Sequence, residues 1–158
     1  PYLKPGSNIL SIDLVTDRPD GGLLNALYLV GDFAVQCDPV VIAARAPTGG
    51  FETYEDNGLP FYAGIVEYET RFELDAMPDG DRVLASLDFQ DTFLEACEVS
   101  VNDSDWRPLP WSPYAFTIAK DHLRTGANTL RIRVYTSLIR SFEGQRFNQH
   151  THSHENIV

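Results

Sequence analysis

The sequence predicts an all-β sandwich, and three observations carry that expectation. Apolar and polar residues alternate along Ile65 to Leu74 (IVEYETRFEL), the period of a strand with one buried and one wet face. Short runs of the same kind recur between turns rich in Gly and Pro. A helix-period pattern is almost absent, which leaves two stacked sheets as the way to bury a 43% hydrophobic composition. At 158 residues the chain can build one good core and not two. A single β-sandwich domain is therefore expected over 27–147. It follows an N-terminal strand and linker over 1–26, which fits the tail of a preceding module, and a C-terminal tail covers 148–158.

Taken in order, the elements begin with a strand in LKPGSNILSIDL and a dense turn cluster at Asp17 to Gly22. Leu27 to Val35 (LYLVGDFAV) reads as a strand interrupted by Gly31 and Asp32, and Val40 to Ala44 as another. From Pro47 to Gly64, glycines and Pro60 lie among Phe51, Tyr54, Phe61 and Tyr62, the composition of a long ordered loop. Strands follow at Ile65 to Leu74, at Arg82 to Phe89 after the tight turn MPDGD, and at Ala96 to Asn102. A Pro- and Trp-rich loop over 103–113 leads to a short strand at Tyr114 to Ile118 and a helical turn at Lys120 to Arg124. A long strand from Asn128 to Thr136 completes the set.

One phrase occurs twice. LKPGSNILSIDL and LRTGANTLRIRV both read L-[KR]-x-G-x-N-x-L-x-I-x-[LV], with Gly6 and Gly126 offset by 120 positions, about one sandwich domain. Either this marks a duplicated context within a longer modular protein, or Gly-x-Asn is simply good turn chemistry before an alternating strand.

Charge narrows the function classes. With 23 acidic against 12 basic side chains the chain carries −11, which opposes binding to nucleic acid or to an anionic membrane. No apolar run reaches the ~18 to 20 residues of a membrane span, and the N-terminus lacks the layout of a signal peptide, so an exported parent would carry its signal upstream of Pro1. Cys37 and Cys97 are too few for a disulfide framework. The parity of Cys97 with Val99 and Val101 favours a core thiol over a bridge to Cys37.

In this order, YLVGDFAV at Tyr28 to Val35, GLPFYAGIVEYETRFEL at Gly58 to Leu74, EVSVN at Glu98 to Asn102, WSPYAFTI at Trp111 to Ile118 and LRTGANTLRIRV at Leu123 to Val134 form a set. That set resembles the sugar-binding, galactose-binding-like jelly-roll domain of glycoside hydrolase family 2 and its relatives among family 106 α-L-rhamnosidase-like proteins. The resemblance implies a non-catalytic accessory module of a large secreted, periplasmic or cell-surface bacterial enzyme that degrades polysaccharide. Its partners would be an oligosaccharide or polysaccharide and the parent catalytic domain. It implies no required cofactor, although related sandwiches often hold a structural Ca²⁺, for which Asp79 and Asp81, or Asp17 and Asp20, could supply oxygens. After Asn102 the usual V-x-V-N-G turn reads VNDSDW, which puts the tight hairpin in question.

A protein binds a sugar by stacking an aromatic ring under its C–H face and bonding its rim with Asp, Asn, Gln or Arg. Trp106, Trp111 and Tyr114 share one loop, with Asp105 beside Trp106. Trp111 and Tyr114, typical of the resembled family, read rather as packing residues, which makes Trp106 the better platform. Tyr54 and Glu52, with Phe51, Glu55, Asp56 and Asn57, form a second cluster suited to a sugar rim or to a domain interface. Gln90 and Asp91 follow the strand ending at Phe89, where they could face the same ligand as Trp106. His150, His152 and His154 alternate as a metal site could use, but a frayed terminus is the simpler reading. Coincidental carboxylate pairs are expected among so many acids, and no Ser-His-Asp elbow, P-loop or H-E-x-x-H is present.

Overall fold

The alternating runs fold as antiparallel strands in the computed structural model of the chain, in which residues 3–23, 26–46, 50, 53–88, 96–148 and 151–158 are described. The chain divides into two units, Pro1–Gly31 and Asp32–Val158. The described residues of the first form no strand. The second holds β1 (Ala34–Cys37), β2 (Val40–Ala43), β3 (Ile65–Leu74), β4 (Arg82–Ser86), β5 (Ala96–Val101), β6 (Arg107–Leu109), β7 (Ala115–Ala119), β8 (Gly126–Tyr135), the short helix α1 (Leu138–Glu143), β9 (Gln145–Asn148) and β10 (Ser153–Asn156). Of the described residues 39% are strand and 6% helix, a nearly all-β structure.

Four strands form the main sheet in the order β3-β8-β5-β6, while β4 and β7 pair separately and β1-β2 and β9-β10 are hairpins. β8 is paired along both edges. Its register with β3 runs from Ile65 opposite Tyr135 to Leu74 opposite Gly126, and with β5 from Ala96 opposite Tyr135 to Val101 opposite Leu130. Alternation then sorts the side chains. Cys97, Val99, Val101, Leu109, Ile132 and Val134 of the main sheet meet Phe116 and Ile118 of β7 in one buried cluster, with Val66, Tyr68, Phe72 and Val83 packed against it. The outward residues Glu67, Arg133 and Glu98 are polar, and Arg133 Nε donates to Glu67 Oε2 at 2.9 Å. That exposed pair contributes little, while the buried cluster supplies the stability.

Several elements depart from the sequence expectation, each for a physical reason. No strand forms over Leu27–Phe33 before β1 begins at Ala34, and the run is broken by Gly31 and Asp32, two residue types that strands disfavour. At Gly58, φ of +70° and an added Cβ only 2.8 Å from Ala34 Cβ leave room for glycine alone, so the chain passes tightly over β1 and accepts a hydrogen bond from Val35 N at 2.9 Å. The expected loop over 103–113 contains β6, whose Pro108 lacks an N–H and is tolerated because β6 is the sheet edge. The turn before it forms without the missing glycine. Asn102 itself takes the left-handed conformation (φ +51°), and Ser104 N donates to Val101 O at 3.0 Å. The C-terminal residues build α1, closed by Gly144 in the left-handed conformation, and the β9-β10 hairpin, where Phe147 and His154 meet edge to face. His150 and the end of the strand expected over 82–89 lie outside the described residues. Among the described residues, no helix is long and apolar enough to cross a membrane.

The turn into β8 is built around a buried side chain. Asn128 is 1% exposed. Its Oδ1 accepts from Arg124 N and from Asn102 Nδ2, both at 2.9 Å, and its Nδ2 donates to Arg124 O at 2.7 Å and Gly126 O at 2.9 Å. Asn102 Oδ1 in turn accepts from Thr129 N at 2.9 Å, which ties the β5-β6 turn to the start of β8. Removing a buried amide strands its partners, each at about 1–3 kcal/mol. Asn128→Ala should therefore cost about 2–3 kcal/mol and lower the thermal midpoint by roughly 5–10 °C, read by calorimetry against the unchanged chain. A loss under about 0.5 kcal/mol would show that the network does not hold the turn.

Candidate functional site

The two ends of the sandwich carry different chemistry. At one end lie the turn 102–106 and the 3₁₀ turn Lys120–His122; at the other lie the loop 110–114, Thr136 and Gly64. Lys120 N donates to Asp81 O at the first end, and Leu87 N to Tyr114 O at the second.

At the first end a cleft of about 150 Å³ opens between the β5-β6 turn and β7. Val99, Val101, Phe116 and Ile118 form its floor; Ser104, Asp105, Arg107, Thr117 and His122 form its rim. Arg107 points inward from the edge strand, paired opposite Val99, and its NH1 donates to Thr117 Oγ1 at 2.9 Å. The volume is about half the lower bound of about 300 Å³ for drug-sized ligands, enough for one ring or a branch. Trp106 is not part of this cleft. Alternation from Arg107 turns it to the outer face of the main sheet, where the Arg133 guanidinium carbon lies 3.9 Å from its ring centroid and that of Arg131 5.3 Å. One face of the indole is thus already covered by a cation.

Trp111 stands differently. It is 74% exposed, in the β6-β7 loop at the second end. Tyr114, three residues on, is 8% exposed and belongs to the core cluster, so the loop turns one aromatic inward and leaves the other bare. Gln90 and Asp91 lie outside the described residues. The strand residues flanking them, Ser86 opposite Ala115 and Ala96 opposite Tyr135, sit at this second end, across the sandwich from the turn that bears Trp106.

The cluster around Tyr54 is inward-facing. Tyr54 is 5% exposed within the core cluster, and the Arg140 guanidinium carbon stands 4.7 Å from its ring centroid. Arg140 is itself 1% exposed; its NH1 donates to Pro60 O at 3.0 Å and to Glu55 Oε1 at 3.4 Å, and Arg146 NH1 reaches the same oxygen at 3.2 Å. Glu55 is thereby the shared counter-ion of two arginines. Asp56 Oδ2 accepts from Thr53 Oγ1 at 2.6 Å, and Asn57 Oδ1 from Gly50 N at 3.1 Å, so these polar groups brace their own loop. Tyr54 and Tyr114 consequently offer no ring face to a ligand; Glu52 lies outside the described residues. Arg140 escaped the sequence reading because an Arg in SLIRSFE looks like an ordinary surface residue, and only its apolar neighbours Leu138, Ile139 and Phe142 hinted otherwise.

As for reactive groups, both cysteines are free. Burial, with Glu98 adding repulsion, pushes the Cys97 thiol up to about 11; burial and then Glu55 raise that of Cys37. Neither is a ready thiolate near neutral pH. Tyr135 is raised by its hydrogen bond to Glu98 Oε2 at 2.8 Å, then by burial and by that carboxylate's charge. Among the described residues, no group of three or more His, Cys, Asp or Glu side chains could hold a metal ion.

No protein-family model matches the chain, and no curated protein does. Among solved structures, the chain is similar to the rhamnosidase from Novosphingobium sp. PP1Y, at 23% identity and a TM-score of 0.43. The likeness covers 78% of this chain and 12% of the rhamnosidase, so the chain spans about an eighth of that protein's length.

The thiol environments make a measurable difference. In the folded chain at pH 8, an alkylating reagent should label half-buried Cys37 at least about tenfold faster than Cys97, and denaturant should abolish the gap. Equal labelling under native conditions, read by mass spectrometry, would contradict the burial of Cys97.

Proposed function

We propose that the chain is a non-catalytic carbohydrate-binding module, the accessory domain of a larger glycoside hydrolase that acts on polysaccharide outside the cytoplasm. The observation that supports this most is Trp111. An indole left 74% exposed on a loop at a sandwich end costs solvation for no gain within the fold, and it presents the flat apolar face on which a sugar ring stacks. The sandwich holds that loop from both sides, through Leu109 paired with Cys97 and Leu87 bonded to Tyr114. A platform on a rigid scaffold binds a glycan weakly, and tethering to an enzyme turns weak binding into high local substrate concentration. In this reading the partners are an oligosaccharide or polysaccharide and the parent catalytic domain, and binding needs no cofactor. The galactose-binding-like jelly-roll identity belongs to the same reading.

A second reading has an observation of its own. Leu84 on β4 is 73% exposed, so that Trp111 and Leu84 could instead be covered by the catalytic domain in a purely structural module.

A glycan array followed by titration calorimetry separates the two. With the best glycan, Trp111→Ala should weaken binding at least about fivefold, the worth of one stacked ring, while Asp105→Ala at the other end should change it less than about twofold. Loss on Asp105→Ala with Trp111→Ala unaffected would move the site to the 150 Å³ cleft and overturn the role of Trp111. An array with no binding at all would overturn carbohydrate recognition and favour the structural module.

A further inference from the structure

The two copies of L-[KR]-x-G-x-N share one turn structure, yet the strand residues after each turn meet opposite fates. In the first copy Asn8 Oδ1 accepts from Lys4 N at 3.0 Å, and Asn8 Nδ2 donates to Lys4 O at 2.8 Å and Gly6 O at 3.0 Å. In the second, Asn128 makes the corresponding three bonds to Arg124 N, Arg124 O and Gly126 O at 2.9, 2.7 and 2.9 Å. Gly6 and Gly126 take the same left-handed φ, +85° and +88°. The shared letters fold into the same turn in both places, bond for bond. The duplication is one of structure as well as of letters.

What the turn delivers differs. In the second copy Leu130, Ile132 and Val134 enter the middle of the main sheet, bonded to β3 on one side and β5 on the other, and Ile132 and Val134 are 4% and 3% exposed. In the first, the equivalent Leu10, Ile12 and Leu14 form no strand and are 75%, 45% and 55% exposed. Three large apolar residues at strand period are costly to leave this exposed to water. The fold answers what covers them, because the same phrase with the same turn is seen seated: it is a central strand.

We infer that Ile9–Val15 is the central strand of a second β-sandwich sheet, paired antiparallel on both edges by strands of a module lying N-terminal to this one in the same polypeptide. Leu10, Ile12 and Leu14 point into the core of that module, in the places Leu130, Ile132 and Val134 fill here. Ser11 and Asp13 face outward, as Arg131 and Arg133 do. The outward residues differ in charge while the inward ones are kept, as expected of a duplicated strand whose solvent side is free to change. Asn8, the counterpart of Asn128, anchors the register.

Hydrogen exchange followed by mass spectrometry, on this 158-residue chain and on the polypeptide extended N-terminally to its natural start, tests the inference. Amides of Ile9 to Val15 should exchange at least about 100-fold more slowly in the extended polypeptide, to a degree comparable with Gly126–Tyr135, and without alternation, since both edges are paired. The double variant Leu10→Asp/Ile12→Asp should remove an upstream melting transition from the extended polypeptide and leave the transition of Asp32–Val158 where it is. Equally fast exchange in both forms would overturn the inference. So would protection of alternate amides only, which means a single-edge contact, or protection that appears only on mixing with a separate chain.

Discussion

Asn128 is the point on which the sandwich turns. β8 must pass between β3 and β5 in one register, and a slip of one residue would send Ile132 and Val134 to the solvent and Arg131 and Arg133 into the core. The buried amide prevents this by fixing the loop from Arg124 to Gly126 and, through Asn102, the end of β5. The first contact is local to the turn, and the second reaches a residue 26 positions earlier, at the end of β5. Register is therefore set at the end of the sheet where the chain enters it, and the apolar alternation along β8 has only to agree.

A second polar cluster, around Arg140, closes the far end. Its guanidinium is buried against Tyr54 and shares Glu55 with Arg146, linking the 53–60 loop, α1 and β9. A buried charge is costly unless its partners are in place, so this cluster specifies one arrangement of those segments more than it stabilises it. The consequence for recognition is direct: a loop rich in aromatic and acidic residues, which on composition suits a sugar, spends those groups on the fold. Trp111 and the small cleft beside Asp105 are surfaces that these clusters do not use.

How much was legible depends on the range of the interactions. Strand period is local, and the strand at Ile65–Leu74 was readable to the residue; β8 and β5 were readable to within one or two. The Cys97 parity likewise placed a thiol in the core. What sequence could not supply was which aromatics face inward. Trp111 and Tyr114 are three residues apart in one loop, and their opposite fates depend on how β4 meets β7 and where β6 ends. The cover over Trp106 comes from Arg133 and Arg131, far along the chain, and the burial of Arg140 from a carboxylate 85 residues away. The C-terminal hairpin hid for the opposite reason, since its polar run lacks the alternation that marks a half-buried strand.

The central place of β8 also governs the order in which the protein can be made. β3 and β5 leave the ribosome well before Gly126–Tyr135, and until that segment appears β3 has no neighbour in the sheet and β5 has only β6. For that interval the nascent polypeptide carries unpaired strand edges, the kind of surface that invites mispairing with other chains. The carboxylates of Glu67, Glu69 and Glu73 along β3 then act as guards, repelling copies of themselves. In the closed sheet Arg131 and Arg133 stand opposite Glu69 and Glu67 and balance that charge. Closure of this sheet thus waits for the last of its four strands to be made, the one whose outward charges match those of β3.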